Sequence, residues 1–441
     1  MHPSRAAAFL AVAVLLLSLP NNAPAQFLVD CSGNTPGAYT TINAVVPLLT
    51  DGAAIEINGT CQENVAINGI NNLWIGAPFG QSATLKGSLS LQTDQNPFLY
   101  GLIVTGSSYI GIDINNSLGV TLDSCSSTGN AGSGLNVGNG SSVTVQNAST
   151  FSYNGNYGVW VSGSSNLQFG WGSGPYDISN NIGGGIQVQR AVVSAFGNMT
   201  ITNNKASSTA LASVNDGFGI DFKGAAAGVF YQGSGPLAIA GNQDGGVSLA
   251  ENSEISLASV GYSTVLQGNG PLGISVGSGS QITLYGGVQI AGHTDTGVDL
   301  FAHSQAYLVG ANQITGNGSG LPSSTRAGLR IDGNSEAYIR GALFSQNGGP
   351  GILALVNSSI DLSDVSFSSN TGGSIQCDSS AWMVTALTSK IPALSALMPC
   401  KVPNTFGIRN HPFSLPARPD TARFKADEAK YQQLMSLFKH N

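Results

Sequence analysis

Residues 297–331 read GVDLFAHSQAYLVGANQITGNGSGLPSSTRAGLRI, and the stretch ends by restarting the pattern on which it begins. A glycine, an apolar-x-apolar strand, a short polar turn and a second alternating strand lead to an Asn and then to the next glycine. The same unit opens at Gly111, Gly134, Gly158, Gly185, Gly219, Gly246, Gly273, Gly297, Gly328 and Gly351. Successive glycines are 23, 24, 27, 34, 27, 27, 24, 31 and 23 residues apart, the length of one solenoid coil built of about three short strands. Each unit closes on a further signature, such as FSYN at 151, ITNN at 201, LQGN at 266 and ITGN at 314. Its Asn recurs at 130, 154, 181, 204, 242, 269, 317, 347 and 370, while His293 stands in the equivalent place of one coil. Asn tolerates the left-handed backbone of a sharp corner, and stacked Asn side chains can hydrogen-bond from rung to rung, so the series is expected to be an architectural ladder.

Composition agrees with this reading. The 441 residues include 59 Gly and only 9% charged residues, so short strands and tight turns specify the chain rather than surface charge. A net charge of −7 argues against a nucleic-acid partner, because phosphate binding needs a basic face. The start MHPSR, the apolar run AAAFLAVAVLLLSL and the small-x-small pattern at Ala23 and Ala25 predict a secretory signal peptide over 1–25. The mature chain is therefore expected to be secreted, periplasmic or extracellular, with no transmembrane segment after signal removal. Export permits disulfides. Cys31 and Cys61 flank the first structured segment and Cys377 and Cys400 the last, which predicts two terminal staples and leaves Cys125 as a buried apolar residue.

The repeat resembles the right-handed parallel β-helix proteins of the pectate-lyase-like group, over about residues 40 to 380. The expected fold is all-β: a right-handed parallel β-helix solenoid with an N-terminal capping helix and a C-terminal extension. Domain boundaries follow as 1–25 signal peptide, 26–60 N-terminal cap, 61–380 parallel β-helix, and 381–441 C-terminal cap and tail. The segment TTINAVVPLLTDG, 40–52, reads as the short amphipathic capping helix that closes the open end of the solenoid. Seven of the 16 basic residues fall in 401–441, where Phe424, Tyr431, Leu434, Met435 and Phe438 have helical spacing for packing on the last coil or for docking a partner.

In each apolar-x-apolar strand the middle residue points outward. The outward column is Asp113, Asn136, Trp160, Gln187, Asp221, Ser248, Ser275, Asp299, Arg330 and Leu353. In β-helix enzymes this face usually carries the substrate groove, so the resemblance directs the search there. Trp160, Gln187, Gln189, Asp221, Asp299, Arg330 and Asp332 are the candidate ligand-binding residues. The inserts KASSTALASVNDGF, 205–218, and GSGLPSSTRA, 318–327, lengthen two coils beside this face and can build groove walls.

Catalytic candidates are weaker: Asp221, Lys223, Asp299 and Arg330. Glycosidase carboxylates stand roughly 5 to 9.5 Å apart, whereas Asp221 and Asp299 lie three strand spacings, about 14 Å, apart. Asp299 and Asp332 would come within about 8 Å diagonally, with Arg330 between them as an ordinary ion pair. Polygalacturonase-like sequences carry NTD, DD, GHG and RIK; this chain has GHT at 292 and RID at 330, lacks the first two, and lacks the epimerase-like DPH. No HxH, HExxH or CxxC pattern marks a metal site, and no cofactor is evident. The expected function is thus a secreted β-helix repeat protein that binds carbohydrate or serves as a surface interaction scaffold without an identifiable catalytic site. The alternative is a polysaccharide lyase or glycoside hydrolase acting on an extracellular polysaccharide.

Overall fold

The computed structural model describes residues 25–170, 175–207, 217–232, 234–259, 261–320, 326–385 and Cys400. The leader, the tail beyond Cys400 and the inner parts of both inserts, 208–216 and 321–325, lie outside the described residues.

The chain winds into a parallel β-solenoid with three long sheets of 13, 15 and 13 strands. One coil shows the rule: Thr296–Leu300 lies in the first sheet, Gln305–Val309 in the second and Gln313–Thr315 in the third. The chain then returns to the first sheet at Leu329–Ile331, one rung on, where Val298 pairs with Leu329, Asp299 with Arg330 and Leu300 with Ile331. Alternation sends Val298, Leu300, Ala306, Leu308 and Ile314 inward, and all five are fully buried. No coil encloses a core by itself. Stacking makes the apolar interior continuous, at roughly 25 cal/mol for each Å² of apolar surface removed from water.

The corner between the third and first sheets explains why Gly and Asn repeat together. Asn242 donates from Nδ2 to Asn269 Oδ1 at 2.8 Å and to Ile201 O at 3.0 Å, while its own Oδ1 accepts from the backbone and side chain of Asn204. The same pattern links Asn130, Asn154, Asn181 and Asn204 on one side and Asn317, Asn347 and Asn370 on the other. The Asn needs space, and the glycine supplies it: a β-carbon on Gly219 would stand 2.8 Å from Asn242 Nδ2, and one on Gly297 would stand 2.8 Å from Asn317 Nδ2. The two conserved features of the repeat are therefore one packing unit.

A second ladder runs along the corner between the first and second sheets. Ser141 N donates to Ser165 Oγ at 3.1 Å and Ser253 N to Ser280 Oγ at 3.1 Å, with equivalent bonds from Ser117 to Ser141 and from Ser304 to Ser335. These serines turn the tight polar corner and satisfy backbone N–H groups that the bend takes out of the sheet ladder.

At the N-terminus the capping helix expected over 40–52 is not formed. Only a 3₁₀ turn, Val46–Leu48, appears, with a proline at its start. Ile42 and Val45 are instead sunk into the open coil, and the Glu63 carboxylate accepts the N–H groups of Ile42 and Asn43 at 2.7 and 2.9 Å. The apolar spacing that suggested an amphipathic helix is that of a turn pressed onto the solenoid end. Strand Gln26–Asp30 adds to the second sheet ahead of Ala54–Asn58. Asp30 then caps the loop by accepting the Ser32 hydroxyl and the N–H groups of Ser32, Asn34 and Thr35, and hydrogen bonds first from the Ser32 side chain and then from Thr35 hold its carboxyl well below the usual carboxylate range. Disulfides join Cys31 to Cys61 and Cys377 to Cys400. Cys125 is free and buried, and burial pushes its thiol up to about 12.

Candidate functional site

The outward column forms in full register on the first sheet: Asp113, Asn136, Trp160, Gln187, Asp221, Ser248, Ser275, Asp299, Arg330 and Leu353 are direct partners on successive rungs. Neighbours are thus about 4.8 Å apart. The column is less open than an uncovered sheet face. Asp221 keeps 1% of its surface, Ser248 3% and Asp299 8%, so these side chains form a floor rather than a rim.

Two polar clusters stand on this floor. In the first, Lys223 Nζ lies 2.8 Å from Asp221 Oδ2, and Gln187 Nε2 reaches the same oxygen at 3.4 Å. Gln189 pairs with Ser162 on one side and Lys223 on the other, and is exposed. Burial pushes the Asp221 carboxyl up, against the pull of Lys223. Its Oδ1 is buried without a hydrogen bond. Trp160 is half-buried two rungs before Asp221, and its Nε1 is likewise buried without an acceptor.

In the second cluster Arg330 sits between two acids, Nε 3.6 Å from Asp299 Oδ1 and Nη2 3.1 Å from Asp332 Oδ2. The first contact is an ion pair too long for a hydrogen bond, which leaves Asp299 Oδ1 and Arg330 Nε without hydrogen-bond partners. Burial pushes the Asp299 carboxyl up to about 6; Arg330 opposes the shift, and Asp295 and Asp332 add to it. Asp295 was not singled out by its sequence position, yet its Oδ1 is also buried and unpartnered. The signal available was its place two residues past the corner, beside the insert at 318–327.

The structure therefore gathers Gln187, Asp221 and Lys223 into one cluster and Asp299, Arg330 and Asp332 into another. It keeps the two apart by the Ser248 and Ser275 rungs. Among the described residues the one grouping of metal-ligand type is Cys31, Cys61 and Glu63, whose sulfurs are joined in the disulfide. His293 is fully buried at the corner, where its Nδ1 meets Asn269 O at 3.1 Å, burial lowers its pKa, and Nε2 has no partner. It faces the ladder and not the column. Among the described residues no helix is long and apolar enough to cross a membrane.

A three-sheet parallel solenoid with a polar floor along one sheet defines the class, that of β-helix proteins. The chain belongs to the right handed beta helix region family, whose model matches residues 53–235 and 236–386. No curated protein matches it. Among solved structures it is similar to an alginate lyase, AlyF-OU02, at 13% identity, covering 89% of this chain and 90% of that one with a TM-score of 0.37. The mannuronan C-5 epimerase AlgE4 A-module of Azotobacter vinelandii matches at 14% identity, with 84% and 90% covered and a TM-score of 0.34. Pectate lyase Pel9A matches at 11% identity, with 86% and 79% covered and a TM-score of 0.22. The family assignment rests on the family model.

Proposed function

We propose that this protein is exported and binds an extracellular polysaccharide along the outer face of the first sheet, between Trp160 and Asp332, without turning it over. The observation that carries this reading is the row of polar and aromatic side chains held in register on one sheet, of which Trp160, Gln187, Gln189, Arg330 and Asp332 keep exposed surface. Their amide, guanidinium and carboxylate groups offer the donors and acceptors that a hydroxyl-rich chain lying across the rungs would meet. Half-buried Trp160 adds a ring for the apolar face of a sugar.

A second reading, cleavage of the polysaccharide, has one observation in its favour. Asp299 is held near 6, where a carboxyl can deliver or accept a proton close to neutrality, with Asp295 and Asp332 nearby. The two readings separate cleanly. The purified chain is screened on a polysaccharide array and, on the same polymers, for new reducing ends and for unsaturated uronate absorbance. Binding without either product is expected, and Trp160→Ala should weaken it at least tenfold with the melting temperature unchanged. Product formation that Asp299→Ala abolishes would overturn the binding reading in favour of the enzyme.

A further inference from the structure

Between residues 227 and 385 the outer faces of the second and third sheets differ in kind. The outward residues of the second sheet include five aromatics, Tyr231, Tyr285, Tyr307, Tyr338 and Trp382. Those of the third sheet on the same coils include none. Strand pairing sets Tyr285 beside Val309 and Tyr307 beside Tyr338, whose rings stack with centroids 5.2 Å apart and planes within 8°. Tyr285 is 39% exposed, Trp382 45% and Val384 46%, so apolar surface recurs along this face. Surface of that kind marks a place where something docks.

The chain itself supplies an occupant. The disulfide Cys377–Cys400 holds residue 400 to the last strand of the first sheet, Ile375–Cys377, one corner ahead of Trp382–Thr385 on the second. Residues 401–441 follow from that point and lie outside the described residues, but their sequence matches the face in two respects. Charge is the first. Seven basic against three acidic residues give this segment a net +4, which leaves residues 1–400 at −11 of the total −7. The second-sheet face carries Glu254, Glu336 and Asp361 against Arg340 alone on these coils. Length and pattern are the second. Phe424, Tyr431, Leu434, Met435 and Phe438 have the spacing of one side of a helix. A helix over 421–440 would be about 30 Å long, and the seven strands from Ala227–Tyr231 to Trp382–Thr385 span about 29 Å at their ordinary spacing. Residues 401–420, with four prolines, form a linker that reaches farther than that at about 3 Å per residue.

We propose that the outer face of the second sheet is the dock of the chain's own C-terminal segment, with residues 421–440 lying along the solenoid axis. Its apolar side covers the row from Tyr285 to Val384, and Lys425, Lys430 and Lys439 lie among the acids of the face. The second sheet is thereby closed by the chain, while the first stays open to a ligand. This inference is independent of the polysaccharide reading.

The test is zero-length carbodiimide cross-linking of the full chain, read by mass spectrometry on a mixture of isotope-labelled and unlabelled protein. Amide links from Lys425, Lys430 or Lys439 to Glu254, Glu336 or Asp361 within one copy are expected. The double substitution Leu434→Ser and Phe438→Ser leaves the solenoid untouched and should cut their yield about fivefold or more, and Trp382→Ser on the face should do the same with the circular dichroism unchanged. An unchanged yield in both variants would overturn the proposal, as would links from these lysines to acids of the first or third sheet instead. Links found only between labelled and unlabelled copies would give the face to a second chain and overturn the internal dock. No tail link at all, while the same acids couple to an added small amine, would show the face uncovered and sink the idea.

Discussion

The Asn corner and the outward column of the first sheet run side by side for ten coils and obey opposite rules. At the corner the residue hardly changes, and Asn154, Asn181, Asn204 and Asn242 use both side-chain atoms in bonds of 2.8–3.2 Å. In the column no residue type holds for more than two rungs, and four of its side chains, Trp160, Asp221, Asp299 and Arg330, leave a buried polar atom without a hydrogen bond. Repetition marks the positions that neighbouring coils demand of one another. Departure from it marks the positions that neighbouring coils leave unspecified.

The comparison breaks most severely where the ladder is cut. Asn242→Ala removes two donated bonds and strands the buried N–H of Asn204, so a loss of about 3 kcal/mol or more is expected in denaturant unfolding. An equally drastic truncation in the column, such as Ser275→Ala, should cost far less. Similar losses at both positions would erase the distinction.

Asp299 offers the next largest effect. Its carboxyl is raised to about 6 in the folded chain from an unfolded value near 3.8. The native state therefore binds the proton more tightly, and stability falls as pH rises from about 4 to 6, with the full cost present above 6. Asp299→Asn should remove a penalty of about 2–3 kcal/mol at pH 7.5 and flatten the fall between pH 4 and 6, while Arg330 keeps Asp332. Thermal melts across that range check the sign; an unchanged pH profile would mean that Asp299 titrates as an ordinary surface acid.

The smallest effect sharpens the comparison at its single exception. His293 interrupts the ladder: Asn269 gives its Nδ2 only to Ile239 O, and His293 Nε2 is buried without a partner. His293→Asn should restore the acceptor that Asn269 lacks and gain about 1 kcal/mol, read as a small rise in melting temperature. A fall would show that the ring's volume outweighs the bonds it forgoes.

Much of the fold was legible because a solenoid writes its contacts periodically. Gly297, Val298 and Leu300 recur at one coil's spacing, so strand identity, register and the outward column could be numbered from the sequence alone. The serine ladder escaped notice because Ser is also the commonest turn residue here, and nothing local distinguishes a serine that bonds the next coil from one that faces water. The capping helix was misread at 40–52 because Ile42 and Val45 have helical spacing, whereas a coil end and the Glu63 carboxylate decide their conformation. In the candidate site the two clusters could be placed by counting, but Asp295 could not.

The sequence by itself determined the coil length, the three-strand cross-section, the inward and outward sets and the two terminal cysteine pairs to be joined, since each follows from a period or from position along the chain. Tertiary structure alone decided how deeply the column is buried, which carboxylates Lys223 and Arg330 hold, and that Gly277 makes room for a ring from the next coil. Those outcomes depend on side-chain volumes and charges meeting across neighbouring rungs, and such meetings are set by stacking distance rather than by order along the chain.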